Sequence, residues 1–85
     1  MKSPFSLYAK RLELLWRLKK HGFYVRMHAY EYLIGDGDKF QALILLEPEL
    51  KRAILKILNN SAGNVKNIIE EILLDIDSRI RVEVI

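Results

Sequence analysis

Apolar and polar positions along the chain follow two periods, which divide it into predicted helices and strands. Residues 6–20 repeat with the helical period, because Tyr8, Leu12 and Leu15 fall on one stripe and most charged side chains fall on the opposite side. Gly22 follows directly, and glycine is the residue that most often ends a helix. The pattern predicts a first helix over residues 6–20, with Tyr8, Leu12 and Leu15 as its buried stripe.

Alternation of apolar and polar side chains predicts the strands. Residues 23–34 alternate in the manner of a half-buried strand, and residues 39–46 are more apolar, which favours a central strand. The glycines and aspartates at 35–38 tolerate the positive φ of a tight reversal, so these two strands are expected to form a hairpin. Residues 79–85 alternate again and predict a final strand.

Two further helices are predicted between the hairpin and the last strand. Pro48 and its flanking acids favour a helix start, and residues 47–58 carry an apolar stripe at helical spacing. A third helix is predicted over residues 65–76. The fold class is therefore α+β, a single domain over residues 1–85 in the order α-β-β-α-α-β, with a three-stranded sheet (23–34, 39–46 and 79–85) and helices packed on one face.

The alternation also assigns side chains to the two faces of that sheet. The apolar positions of the first and last predicted strands can both be buried only if they face the second and third helices. The charged positions of these strands then lie on the opposite face, since a buried unpaired arginine is very costly. The predicted core consists of Phe23, Val25, Met27, Ile80, Val82 and Val84 from the strands and Leu50, Ile54, Ile57, Val65, Ile68, Ile72 and Ile76 from the helices. The predicted open face carries Arg26, His28, Arg79 and Arg81.

Composition and charge narrow the functional classes. The chain has 85 residues, no cysteine and a net charge of +3, so a disulfide framework and a thiol nucleophile are excluded. No apolar run approaches the ~20 residues of a membrane span, and an intracellular, cytoplasmic protein is expected. The richness in Ile, Leu, Lys and Glu is typical of thermophilic proteins. Residues 1–26 carry seven bases against one acid, an excess that attracts phosphate-bearing partners or forms a solvated helix face.

The polar break between the second and third predicted helices is the first candidate site. Free backbone N–H groups at a helix start bind phosphate well, and glycine allows close approach. The simpler alternative is that Ser61 or Asn60 caps the third helix. The candidate phosphate-binding residues are Lys56, Asn60, Ser61, Ala62, Gly63, Asn64 and Lys66, with Lys51 and Arg52 extending the positive rim.

The second candidate is the polar side of the first strand. Aromatic side chains interleaved with bases resemble a surface on which nucleic-acid bases stack. Two alternatives remain open, because aromatics also favour strands and pair across them, and a face rich in Tyr and Arg also suits a homodimer contact. The residues of this face are Tyr24, Arg26, His28, Tyr30 and Tyr32, which Arg79 and Arg81 would join if the last strand pairs nearby.

Other chemistry is not indicated. Asp36 and Asp38 lack the downstream ligands of a calcium loop, His21 and His28 lack a third zinc ligand, and the serines have no evident base to activate them. The sequence therefore predicts a non-enzymatic protein without a metal or cofactor.

The order of elements and one short stretch resemble a known family. Helix, hairpin, kinked helix pair and strand is the order of the type II KH fold, in which a loop between two helices clamps nucleic-acid backbone. The stretch Lys56–Ile69 is similar to that of ribosome-binding factor A, a KH-like family, with matching roles for Leu58, Gly63, Val65, Lys66 and Ile69. The resemblance implies a small module that binds RNA, such as ribosomal RNA, in ribosome or RNP assembly. The alternative is a protein-interaction or homodimerising domain on the same fold, without nucleic-acid binding.

Overall fold

The computed structural model describes residues 2–59 and 64–85. The fold is α+β, as predicted, but the order of its elements is α-β-β-β-β-α-β. In chain order, the elements are helix α1 (Tyr8–Lys20), strands β1 (Tyr24–His28), β2 (Glu31–Gly35), β3 (Phe40–Glu47) and β4 (Arg52–Ile57), helix α2 (Val65–Ile76) and strand β5 (Arg81–Val84), with short 3₁₀ helices at Pro4–Ser6 and Pro48–Leu50.

Across the described residues, five strands form one mixed sheet in the order β1-β2-β3-β4-β5. β1 to β4 pair antiparallel, and β5 pairs parallel to β4 after the crossover through α2. Side chains from α1, α2 and one side of the sheet belong to a single buried cluster, so both helices cover the same face. The other sheet face is not covered by any element that the structure describes.

The predicted helix over residues 47–58 is wrong, and so is the three-stranded sheet. Pro48 does start a helical turn, but Lys51 adopts the left-handed conformation (φ 52°) and ends that turn. The chain then continues as β4, in which Ala53 and Leu55 are buried at alternate positions. The apolar residues of this segment fit both the helical and the strand period, and hydrogen bonding to β3 selects the strand.

The predicted strand over residues 23–34 is a hairpin of two strands. Ala29 (φ 56°) and Tyr30 form a two-residue connection between His28 and Glu31, which are paired. Side chains at even positions point away from the core in β1, whereas odd positions do so in β2. Tyr32 is therefore fully buried, not on the polar face where the continuous strand placed it.

The reversal predicted at residues 35–38 is confirmed. The Asp36 carboxylate accepts hydrogen bonds from the backbone N–H groups of Lys39 and Asp38, both at 2.9 Å, and these bonds hold the pKa of Asp36 below its usual value. Gly37 has φ +101°, which favours glycine. A Cβ at Gly35 would lie 2.5 Å from the Lys39 carbonyl oxygen, so glycine is required there for close approach.

Most of the predicted core residues do lie in the core between the sheet and the helices. Val25, Val65, Ile72 and Ile80 are buried, and Phe23, Met27, Ile57, Ile68, Ile76 and Val82 pack partly against the same cluster. Three predictions are wrong: Leu50 and Val84 are exposed, and Ile54 points to the uncovered face because β4 is a strand.

The buried stripe of α1 also differs from the prediction. Leu14 and Leu18 are fully buried, whereas Tyr8 is 62% exposed. Apolar residues surround this helix on several sides, so their spacing alone fits more than one orientation. The packing of α1 against α2 and β1 selects the Leu14–Leu18 side, and it leaves an aromatic flank in solvent.

Candidate nucleic-acid interface

Helix α1 presents an exposed flank of aromatic and basic side chains. Tyr8, Leu12, Trp16 and Lys20 follow one another at intervals of four residues, so they lie along one side of the helix. Trp16 is 63% exposed, and the Lys19 ammonium lies 5.4 Å from the centre of its ring. We call Tyr8, Arg11, Trp16, Lys19, Lys20 and Tyr30 the α1 flank.

Arg11 joins the helix to the β1–β2 turn within this flank. Its guanidinium lies 4.2 Å from the Tyr30 ring centre and 5.7 Å from that of Tyr8, and Nη1 donates a hydrogen bond to the Phe5 carbonyl oxygen at 2.8 Å. Nε of Arg11 is buried without a hydrogen-bond partner among the described residues. Arg11 therefore fixes both tyrosine rings at the protein surface.

The Tyr32 hydroxyl anchors the same turn of α1 from below. It donates a hydrogen bond to the Arg11 carbonyl oxygen at 2.7 Å. Burial raises the pKa of Tyr32 well above its usual value of 10, because the phenolate would lose its hydration; the positive charge of Arg11 opposes this rise without cancelling it. A neutral, hydrogen-bonded tyrosine thus holds the flank against the sheet.

Some basic side chains of α1 form ion pairs with acidic side chains, and others do not. Lys10 and Arg17 both form ion pairs with Glu13, at 3.2 and 3.1 Å, and Arg17 also approaches Asp75 at 3.5 Å. The hydrogen bond from Lys10 lowers the pKa of Glu13. In the part of the chain that the structure describes, Lys19 and Lys20 form no ion pair, so their charges remain available to a partner.

The predicted phosphate-binding stretch is only partly within the described residues. Asn60, Ser61, Ala62 and Gly63 lie outside them, so their role stays a prediction. Lys56 lies on β4, and Lys66 pairs with Glu70 at 3.2 Å on α2, whose first residue follows Asn64. The stretch thus joins a strand to a helix, not two helices as in a KH domain.

The predicted strand face is divided by the observed sheet. Arg26 and His28 are exposed on β1, Arg81 is exposed on β5, and Arg79 is exposed just before β5. Four strand spacings of ~4.8 Å separate the two edge strands, or about 19 Å. All four residues are solvent-exposed, as expected. However, Arg79 and Arg81 do not form one cluster with Arg26 and His28, because they lie at the opposite edge of the sheet.

The aromatic residues of that predicted face are also divided. Tyr24 remains near Arg26 and contacts Phe40, with ring centres 6.4 Å apart. Tyr30 instead lies over Arg11 on the α1 flank, and Tyr32 is buried. The base-stacking surface predicted on β1 is reduced to its Tyr24 end.

Ser3, before the start of α1, and Asp77, after the end of α2, form a buried polar pair. The Ser3 hydroxyl donates a hydrogen bond to Asp77 Oδ2 at 2.6 Å, and the same carboxylate accepts the Arg79 N–H at 3.1 Å. Ser3 also accepts the Phe5 N–H at 3.2 Å. These contacts tie the segment before α1 to the end of α2, which is a structural role.

The described residues also bear on metals and membranes. Over residues 2–59 and 64–85, no three His, Asp or Glu side chains are close enough together to hold a metal ion. None of the helices within those residues has the length and apolar character needed to span a bilayer.

The sequence prediction missed the α1 flank because it assigned Tyr8 to the core. The sequence signal was the excess of five bases over one acid in residues 8–20, together with a tryptophan three and four residues before two lysines. Comparison with protein-family models, curated proteins and solved structures finds no match to this chain.

Proposed function

We propose that this protein is a small non-enzymatic module that binds single-stranded nucleic acid, RNA in particular, through the α1 flank. The observation that carries the proposal is the exposed Trp16 ring, with the Lys19 ammonium 5.4 Å from its centre. Exposed aromatic rings offer stacking platforms to bases, and adjacent ammonium groups bind the phosphates between them. The excess of bases in residues 1–26 adds long-range attraction for a polyanion.

The spacing of the rings is compatible with an extended strand. Tyr8 and Trp16 are eight residues apart on α1, which corresponds to about 12 Å at 1.5 Å per residue. Arg11 and Tyr30 lie beside Tyr8 and hold its ring at the surface. This proposal does not depend on a KH-type loop. The predicted phosphate site at residues 60–63 would extend the same binding path, which is tested separately below.

Tryptophan fluorescence tests the proposal directly, because Trp16 is the single tryptophan. Addition of a twelve-nucleotide oligouridine should quench this emission, and the affinity should fall steeply between 50 and 200 mM salt. Trp16→Ala, followed by an electrophoretic shift assay, should weaken binding about 5- to 150-fold, since a base stack contributes ~1–3 kcal/mol.

A matched pair of charge variants separates the α1 flank from general electrostatics. Lys19→Ala with Lys20→Ala should reduce the magnitude of the salt slope by about 1.4, at ~0.7 per phosphate contact. Lys2→Ala with Lys39→Ala removes the same charge from exposed positions outside both candidate sites and should leave the slope nearly unchanged. Equal losses in the two pairs would refute a specific role for the flank.

The other outcomes also decide between functions. If no single-stranded RNA or DNA quenches Trp16 at 50 mM salt, the nucleic-acid proposal is wrong, and the alternative of a protein-interaction domain is favoured. Gly63→Glu with Lys66→Glu tests the predicted phosphate site in the same assay. Weaker binding in that variant, with Trp16 still quenched at saturation, would extend the binding path to the start of α2.

A further inference from the structure

The backbone groups and charged side chains along the free edge of β5 suit pairing with β5 of a second copy of the chain. The N–H groups of Arg81 and Ile85 donate to the carbonyl oxygens of Lys51 and Leu55 on β4, both at 2.9 Å. Because successive residues of a strand point their backbone groups to opposite sides, the N–H and C=O groups of Val82 and Val84 point away from β4. In the described part of the chain, no strand accepts them.

We propose that two copies of this chain associate through β5 as antiparallel neighbours about a two-fold axis at Val82. This register makes Val82 a hydrogen-bonded pair with Val82 of the second copy, so it uses the backbone groups that β4 leaves free. It also places Arg81 opposite Glu83 of the second copy, and Glu83 opposite its Arg81. Both charge pairs are favourable at a single register.

The side chains on the other side of β5 support the same register. Ile80, Val82 and Val84 alternate with the charged pair, and Val84 is 41% exposed in the single chain. Pairing sets Val84 opposite Ile80 of the second copy, on the side of the sheet that faces the helices. The continuous sheet would therefore extend the apolar row across the contact.

The opposite edge of the sheet does not offer this complementarity. β1 carries Arg26 and His28 but no acid, so pairing of two β1 strands brings bases together and is discouraged. On β5, Arg81 and Glu83 are 3.2 Å apart within one chain, which shows that both charged groups reach the same side of the sheet. The α1 flank is not part of the β5 edge, so a dimer would leave it free.

The contact is small, and we expect a weak, concentration-dependent dimer. A pair of edge strands buries less than the ~1,200 Å² of a standard interface. Sedimentation velocity from about 10 µM to about 1 mM should therefore show a rising dimer fraction, since this range detects association free energies down to about −4 kcal/mol. A wild-type chain that remains monomeric at about 1 mM would overturn the proposal.

Charge variants test the register. Glu83→Arg and Arg81→Glu each turn two favourable pairs into two repulsive ones, so each protein alone should dimerise about tenfold more weakly or worse. An equimolar mixture should recover association, because the two arginines of one chain then face the two glutamates of the other. If the mixture stays monomeric while both proteins are folded, the proposed register is wrong.

A backbone variant provides a second measurement, because Glu83→Arg also brings a charge near Arg52, which approaches Glu83 at 3.8 Å. Val84→Pro removes an edge N–H that β4 does not use and leaves every charge in place. It should abolish dimerisation without loss of the circular dichroism signal or of RNA binding. Undiminished dimerisation of this variant would assign the contact to another surface.

Discussion

Replacement of Tyr32 by phenylalanine isolates a buried hydroxyl whose ionisation opposes folding at high pH. In the native protein this hydroxyl is neutral and donates to the Arg11 carbonyl oxygen at 2.7 Å. Such a bond stabilises a folded protein by about 1 kcal/mol. At pH 8 we therefore expect Tyr32→Phe to lower the free energy of unfolding by about 1 kcal/mol.

The effect should reverse as the pH rises. Burial raises the pKa of Tyr32 in the folded state above its usual value of 10. The unfolded chain therefore releases this proton first, and stability falls with increasing pH from about pH 10 upward. Treating the folded tyrosine as fully protonated, linkage predicts a loss of about 1.4 kcal/mol at pH 11 and about 2 kcal/mol at pH 11.5. The Tyr32→Phe protein does not suffer this loss.

Urea unfolding of both proteins, followed by circular dichroism between pH 8 and 11.5, measures the difference. The wild type should be the more stable protein at pH 8 and the less stable one at pH 11.5, with the curves crossing at about pH 10.6, where the linkage loss reaches about 1 kcal/mol. Other groups titrate in both proteins, so their contributions largely cancel in the comparison. Parallel stability curves over the whole range would refute the inference that the folded state holds Tyr32 neutral.

Three further substitutions test the packing by the same unfolding assay. Ser3→Ala should cost about 1–3 kcal/mol, because Asp77 loses a buried hydrogen bond of 2.6 Å; no change would mean that water replaces the hydroxyl. Gly35→Ala should cost about 1–3 kcal/mol, since its Cβ would lie 2.5 Å from the Lys39 carbonyl oxygen; a stabilised variant would contradict that close approach. Leu14→Ala should cost about 2–5 kcal/mol, and a cost below 1 kcal/mol would show that α1 is packed in another orientation.

The amino-acid sequence alone was enough to predict the features that have a local physical cause. The reversal at 35–38 follows from Asp36 and Gly37, since a side-chain acceptor and a positive φ act within four residues. Gly22 ends α1 with φ +91°, and the Phe23 N–H bonds back to the Leu18 carbonyl oxygen. The apolar pattern of residues 65–76 was also sufficient to predict α2 and its buried side, because the apolar residues of this helix form a single stripe.

Tertiary structure decided the features for which the sequence offered two comparable solutions. Residues 52–57 fit both helical and strand periods. The strand is selected because it also pairs the backbone groups along the edge of β3, which a helix over these residues would leave unpaired. The sequence likewise did not decide which side of α1 is buried, because apolar residues lie around the helix. Contacts with α2 and β1 select the buried side. That selection buried Leu14 and exposed Trp16, so the candidate functional surface exists only through the packing of distant segments.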